Sequence, residues 1–218
     1  DFKLAEVYSL IHKLQPQALI GSNHHLAPNS GEDFQMFEKD LPGRSTKSFA
    51  TSADDIGNLP LEVCETINGS WGFNLKDRKH KSKKELVQYL IKAAGYDSNL
   101  LLNVGPMPNG KIQKEHIKSL KEIGDWIKVN GETIYGTIRG PIDPTDEIAS
   151  TQKDNTIYIH LLDNRKTYFI EGYNPKIKKI SYYHSNKKVK YQKTKSGLII
   201  NVDDNELDEI DTIIELEI

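Results

Sequence analysis

The sequence predicts a protein in two parts, α/β up to about residue 131 and all-β after it. Three observations carry this reading. Helical and apolar-strand patterns alternate as far as Gly131. Beyond it, short segments alternate apolar and polar residues with period two. A Gly/Pro-rich stretch, "GTIRGPIDPTDE" (136–147), separates the two regions. Helices alternating with buried strands imply parallel βα units, whereas short alternating strands divided by turn residues imply an antiparallel sheet or sandwich.

The opening "DFKLAEVYSLIHKLQP" sets Leu4, Val7, Tyr8, Ile11 and Leu14 at helical spacing and stops at Pro16. "ALIGSN" (18–23) reads as an apolar strand with a polar tip. The long loop after it holds "GEDFQMFEKDLPG" (31–43), in which Glu32, Asp33, Glu38 and Asp40 stand among two phenylalanines and a methionine. "LPLEVCETI" (59–67) is the next strand. "SKKELVQYLIKAAG" (82–95) is a helix with Ser82 and Glu85 as a capping box and Gly95 as its stop. "NLLLNVGP" (99–106) is so continuously apolar that both faces are expected to be buried. "QKEHIKSLKEIGDWIKVNG" (113–131) is an amphipathic helix whose apolar face is expected to be Ile117, Leu120, Ile123, Gly124 and Ile127. "NTIYIHLL", "KTYFIEGY", "IKKISYYH", "GLIINV" and "DTIIELEI" are the strands of the second part.

Bulk properties exclude several function classes. The 218 residues are 37% hydrophobic and 28% charged, which fits an ordered globular chain. The 29 basic residues nearly balance 31 acidic ones, so no global charge draws the chain to nucleic acid or an anionic membrane. No apolar run approaches the roughly 20 residues that span a bilayer. The single cysteine, Cys64, excludes an internal disulfide and a cysteine metal cluster, and its place in a strand marks a buried, inert thiol. Lysines from Lys176 to Lys195 precede acids from Asp203 to Asp211, a pattern of solvated strand faces rather than a nucleic-acid surface. The sequence starts on a helix and without methionine, so a piece of a longer protein is expected.

In parallel βα architectures chemistry gathers just past the strands. The first strand ends in "SNHH". Neighbouring side chains on an extended tip diverge, so His24 and His25 do not easily share a metal ion, and no ligand set accompanies them. His24 stands as either a partner for a substrate hydroxyl or a structural histidine. Trp71, in the Gly-flanked "NGSWGFN", is either a loop anchor or a platform for the apolar face of a sugar ring. "GPMPNG" lacks the spacing of a phosphate loop, and "KDRKHKSKK" (76–84) reads as solvated surface. Among the acids, Glu38 follows Phe34, Met36 and Phe37, and apolar neighbours are what a general acid requires. Glu32 and Asp33 read as loop solvation or capping, Asp40 as a turn acid, and Glu62 and Glu65 on a strand are rivals to Glu38.

Taken in order, "LQPQALIGSNHH", "GEDFQMFEKDLPG", "LPLEVCETINGSWGFN", "LVQYLIKAAGYDSNLLLNVGPMPNGKI" and "LKEIGDWIKVNGETIYGT" resemble the second half of an α-L-fucosidase of glycoside hydrolase family 29. The resemblance runs from residue 1 to about 141. It implies the C-terminal half of a (β/α)8-like TIM barrel over 1–138 and a β-sandwich domain over 139–218. It also implies retaining release of terminal α-L-fucose from fucosylated oligosaccharides or glycoconjugates without metal or cofactor, and no nucleic-acid or membrane partner. A secreted or periplasmic location is expected rather than a cytoplasmic one. By the resemblance, Glu38, which closes a D-F-x-x-x-E stretch, is the general acid/base. Trp71 would line the pocket against the sugar's methyl side, and His24, at a strand-tip position that is arginine in some relatives, would face the sugar or the nucleophile. The family's nucleophilic aspartate belongs to an earlier strand that this sequence does not contain. A non-catalytic carbohydrate-binding fragment is the alternative.

Overall fold

The computed structural model describes residues 3–23, 26–43 and 56–218. The α/β part holds helix α1 (Leu4–Leu14), strands β1 (Gly21–Ser22), β2 (Phe34–Glu38) and β3 (Leu61–Thr66), helix α2 (Lys83–Gly95), strand β4 (Ser98–Asn103) and helix α3 (Lys114–Asn130). The four strands form one parallel sheet in the order β1-β2-β3-β4, so each strand joins beside its predecessor in sequence. All four carboxyl ends therefore share one edge.

Eight strands follow: β5 (Ile138–Arg139), β6 (Ile148–Lys153), β7 (Thr156–Leu161), β8 (Thr167–Glu171), β9 (Lys179–Tyr182), β10 (Lys190–Lys193), β11 (Gly197–Asn201) and β12 (Thr212–Glu217). They make an antiparallel five-stranded sheet, β5-β6-β7-β12-β9, and a three-stranded one, β10-β11-β8. Ile157, Ile159, Leu161, Ile170, Leu198, Ile200 and Ile214 fill a core that draws on both sheets. The other face of the five-stranded sheet packs Ala149, Tyr158, Leu162 and Ile213 against Leu86, Val87, Ile91, Ile123 and Trp126 of α2 and α3. Gln88 of α2 reinforces this seam, its side-chain amide donating to the carbonyls of Leu162 and Ile210.

Several elements depart from the sequence expectation. Residues 34–38 are a strand rather than loop. The pairs Met36–Glu62 and Phe37–Val63 set Gln35 and Phe37 toward α2, and Phe34, Met36 and Glu38 on the opposite, open face. Polarity is partly inverted: Gln35 is buried beside Phe37, its side chain donating to Leu26 O at 2.7 Å and accepting from Gly57 N at 3.0 Å. β4 is not buried on both faces, because Leu101 on the open face remains 44% exposed. α3 is rotated from the expected face: Ile117 is 53% exposed, while His116, Ser119, Ile123, Trp126 and Asn130 face inward. On α1 only Tyr8 is buried, and Leu4, Val7 and Leu14 are exposed. The capping box forms as expected, but Gly95 does not end α2 by a left-handed turn. A Cβ there would lie 2.7 Å from Pro144 Cγ, so this glycine permits close approach to the second part. β5, β6 and β10 were not anticipated.

Asp33 fastens the start of β2. Its Oδ2 accepts from Ile20 N at 2.7 Å and meets His12 Nε2 at 2.8 Å, tying strand to helix and preceding loop. The Ile20 amide first, and His12 second, hold this carboxyl below its ordinary range. Deeper, His160 of β7 and Asp211 are completely buried and meet at 2.7 Å, and burial pushes the Asp211 carboxyl up.

Two outcomes follow from these pairs. His160→Leu leaves a buried carboxyl without its partner and is expected to cost about 3–5 kcal/mol in urea unfolding, whereas His160→Leu with Asp211→Leu recovers much of that loss. A lowered carboxyl stabilises the fold above its unfolded pKa of about 3.9 and loses that contribution as pH falls through the folded value. Asp33→Asn is therefore expected to lower the melting temperature at about pH 6, with the gap to the unmodified protein closing toward about pH 2.5.

Candidate active site

The carboxyl ends of the parallel strands meet around Glu38, the last residue of β2. Its Oε2 accepts from Asn23 Nδ2, just past β1, at 2.6 Å, and its Oε1 accepts from Trp71 Nε1, in the loop after β3, at 2.8 Å. Asn103, the last residue of β4, donates from Nδ2 to Trp71 O at 2.7 Å. A single hydrogen-bonded chain thus joins the ends of all four strands. Two donors fix both carboxylate oxygens, so the direction in which Glu38 presents itself is set before any ligand arrives.

The aromatic wall is held in several ways. Lys39 Nζ lies 5.1 Å from the Trp71 ring centroid and donates to Gly69 O at 3.0 Å. Ser70 donates to Asp77 Oδ2 at 2.9 Å, which holds the Asp77 carboxyl below its ordinary range. A Cβ on Gly105 would sit 2.6 Å from Gly72 C and 2.7 Å from Phe73 N, so only glycine lets the loop after β4 close on the loop that carries Trp71. Trp71 as a residue remains 36% exposed.

The other acids separate by position. Glu65 points to the helix side, is buried, and accepts from Thr66 N at 2.7 Å with Lys81 Nζ at 3.2 Å. Glu62 shares the open face with Glu38 but lies one row deeper, accepting from Asn99 Nδ2 at 2.8 Å. Glu32 is a buried anchor for Tyr8 and the Asn29 amide rather than a solvated loop acid. Asp40 is likewise buried. Cys64 is buried beneath the site and its thiol is pushed up, by burial first and by Glu38, Glu62 and Glu65 after it, so it is inert as expected. His24 lies outside the described residues. Among the described residues no group of three or more His, Cys, Asp or Glu is placed to hold a metal. Sequence reasoning missed Asn23 and Asn103. Asn23 stood in the polar strand tip "SNHH", but nothing in the sequence pairs either asparagine with Glu38 or Trp71.

An oriented carboxyl beside an exposed tryptophan, at the carboxyl edge of a parallel sheet, suits hydrolysis of a glycosidic bond: the acid for proton transfer, the ring for the sugar's C–H face. Fold and site are of the kind that glycoside hydrolases use. The chain belongs to the alpha-L-fucosidase family, whose model matches residues 1–132. It is 30% identical over 161 residues to the plasma alpha-L-fucosidase of Homo sapiens, covering 62% of this chain and 34% of that one. With the alpha-L-fucosidase of Branchiostoma floridae it shares 27% identity over 193 residues, covering 75% and 43%. Alpha-L-fucosidase isoenzyme 1 from Paenibacillus thiaminolyticus superimposes with a TM-score of 0.78 at 30% identity, over 99% of this chain and 53% of that one. The Thermotoga maritima alpha-fucosidase solved in complex with fucose shares the fold, with a TM-score of 0.73 at 22% identity over 98% and 48%. The chain spans about a third of the human relative's length and about half of these solved chains.

If the Gly105 contact positions the indole, Gly105→Ala shifts Trp71 emission to the red and raises its quenching by acrylamide, while buried Trp126 stays dark to the quencher. Unchanged quenching would show that the contact does not hold the ring.

Proposed function

We propose that the chain is part of a retaining exo-α-L-fucosidase that removes terminal α-L-fucose from fucosylated oligosaccharides or glycoconjugates. Glu38 is its general acid/base, Trp71 lines the sugar pocket, and His24 faces the sugar or the nucleophile. Residues 1–138 are the second half of a (β/α)8-like barrel and residues 139–218 its β-sandwich, with the nucleophilic aspartate supplied from outside this sequence. The observation that carries the reading is the pair of hydrogen bonds from Asn23 and Trp71 that aims Glu38 over the open face of the sheet. Family membership and the fold shared with enzymes named as fucosidases support it.

In this reaction Glu38 gives its proton to the glycosidic oxygen as the aspartate bonds to the anomeric carbon. It then takes a proton from the water that cleaves the glycosyl-enzyme, and configuration is retained. The two carboxyl groups of such a pair stand about 5–5.5 Å apart. Leu101, Met36 and Phe34 on the open face provide the apolar lining of a barrel interior. The human relative is a plasma alpha-L-fucosidase by name, which favours a secreted location here, and no helix among the described residues is long and apolar enough to cross a membrane.

Glu38→Gln in the full-length protein is expected to lower kcat/KM on a fucosylated oligosaccharide by about 10²–10⁴-fold. The loss should be smaller in the first step on an aryl α-L-fucoside, whose leaving group needs less protonation. Proton NMR should find the α anomer released first. Full activity of Glu38→Gln on the oligosaccharide, or first release of the β anomer, would overturn the assignment. Sugar binding without turnover by the unmodified protein would favour a carbohydrate-binding role instead.

A further inference from the structure

Two residues past Trp71 begins the lining of a cleft of about 600 Å³ that contains neither Glu38 nor Trp71. It runs between residues 73–80 and the start of α3. Phe73, Leu75 and Met107 supply its apolar surface, Asn74, His80 and Gln113 its neutral polar groups, and Arg78 and Lys114 stand with Asp77 and Glu115 as its charges. Its volume falls within the roughly 300–1,000 Å³ of sites that enclose a small ligand.

The walls are built rather than incidental. Asn74 Nδ2 reaches Ser70 Oγ at 3.3 Å and Asn74 Oδ1 accepts from Lys76 N at 3.0 Å, which closes the loop on itself. His80 Nε2 and Gln113 Nε2 stand 3.0 Å apart and join the loop to α3. His116, 2% exposed and edge-on to His80 at 5.4 Å, backs that joint; neither of its ring nitrogens has a partner among the described residues. Gly105 locks the backbone of Gly72 and Phe73 from the other side.

Position gives the cleft its meaning. Phe73 is two residues from Trp71, so their Cα atoms are at most about 7 Å apart. The indole of Trp71 touches Glu38, and in the reading above Glu38 protonates the oxygen between fucose and the next sugar. The group that oxygen belongs to leaves the fucose pocket beside the loop that carries both Trp71 and Phe73. Two acids offset two bases in the lining, which suits a neutral ligand, with an aromatic face for a sugar's C–H bonds and the Arg78 guanidinium for its hydroxyls.

We propose that this cleft seats the leaving-group saccharide, a neutral mono- or disaccharide, and that Phe73 and Arg78 determine which fucosides are preferred. The proposal rests on Glu38 as acid/base. The test compares the full-length protein with Phe73→Ala and Arg78→Ala on two substrates: an aryl α-L-fucoside, which barely enters the cleft, and a fucosylated lactose trisaccharide, which fills it. The ratio of kcat/KM for the trisaccharide to that for the aryl fucoside is expected to fall about ten-fold in each variant, mainly through KM, with melting temperature and Trp71 emission unchanged. A ratio unchanged in both variants overturns the proposal, as does a ratio that falls only alongside a lowered melting temperature. Should the unmodified protein hydrolyse neither substrate, the acid/base reading fails instead. Calorimetry with free lactose then decides the cleft: binding abolished by Phe73→Ala upholds it, and no binding removes it.

Discussion

Everything in this molecule is arranged around the burial of α2. One side of the helix lies on the parallel sheet, where Ala93 and Tyr89 pack with Phe37, Val63 and Leu100; another meets α3 and the five-stranded sheet through Leu86, Val87 and Ile91. A helix apolar on more than one side cannot be satisfied by a single sheet. The two parts are therefore held as one packed body, and the polar spine of that seam must be paired. Gln88 caps two carbonyls across it, and His160 Nδ1 pairs with Asp211 Oδ2.

Against that frame the site is economical. The helix side of the parallel sheet takes Phe37, Val63 and Leu100, which frees the opposite face for Glu38, Glu62 and Asn99. The strand ends then bring Asn23, Glu38 and Asn103 to one edge with the Trp71 loop above them. None of these polar groups needs to sit in the core. The energy that positions them comes from apolar packing on the other side of the same strands.

What could be read from the sequence follows from the same division. α2, β3 and most antiparallel strands were legible because pattern and burial agree, and the capping box of Ser82 and Glu85 appears as written. β2 was not, because its exposed face carries Phe34 and Met36 and its buried face carries Gln35. A buried glutamine beside Phe37 breaks the alternation, and the carbonyl and amide that Gln35 meets make it tolerable. α3 misled by about one position because His116, Ser119 and Asn130 are buried polar residues, so apolar periodicity tracked the wrong stripe. Glu38 stood out through its neighbours and the family resemblance. Asn23 and Asn103 did not, since an asparagine at a strand end carries no signal until the register of adjacent strands is known.

That register has a further consequence. Because side chains alternate across a strand, a slip of one residue in the pairing of β2 with β3 would exchange Glu38 for Phe37, burying an acid against α2 and turning a phenylalanine to the open face. Such a molecule would be unstable and, with Glu38 as the proposed acid/base, inert, and no partly competent form lies between the two arrangements. The strand thus works as its own inspector: a population of these molecules divides into fully assembled and wholly silent members. Damage to its folding would then show as fewer working copies, each with an unaltered appetite for substrate.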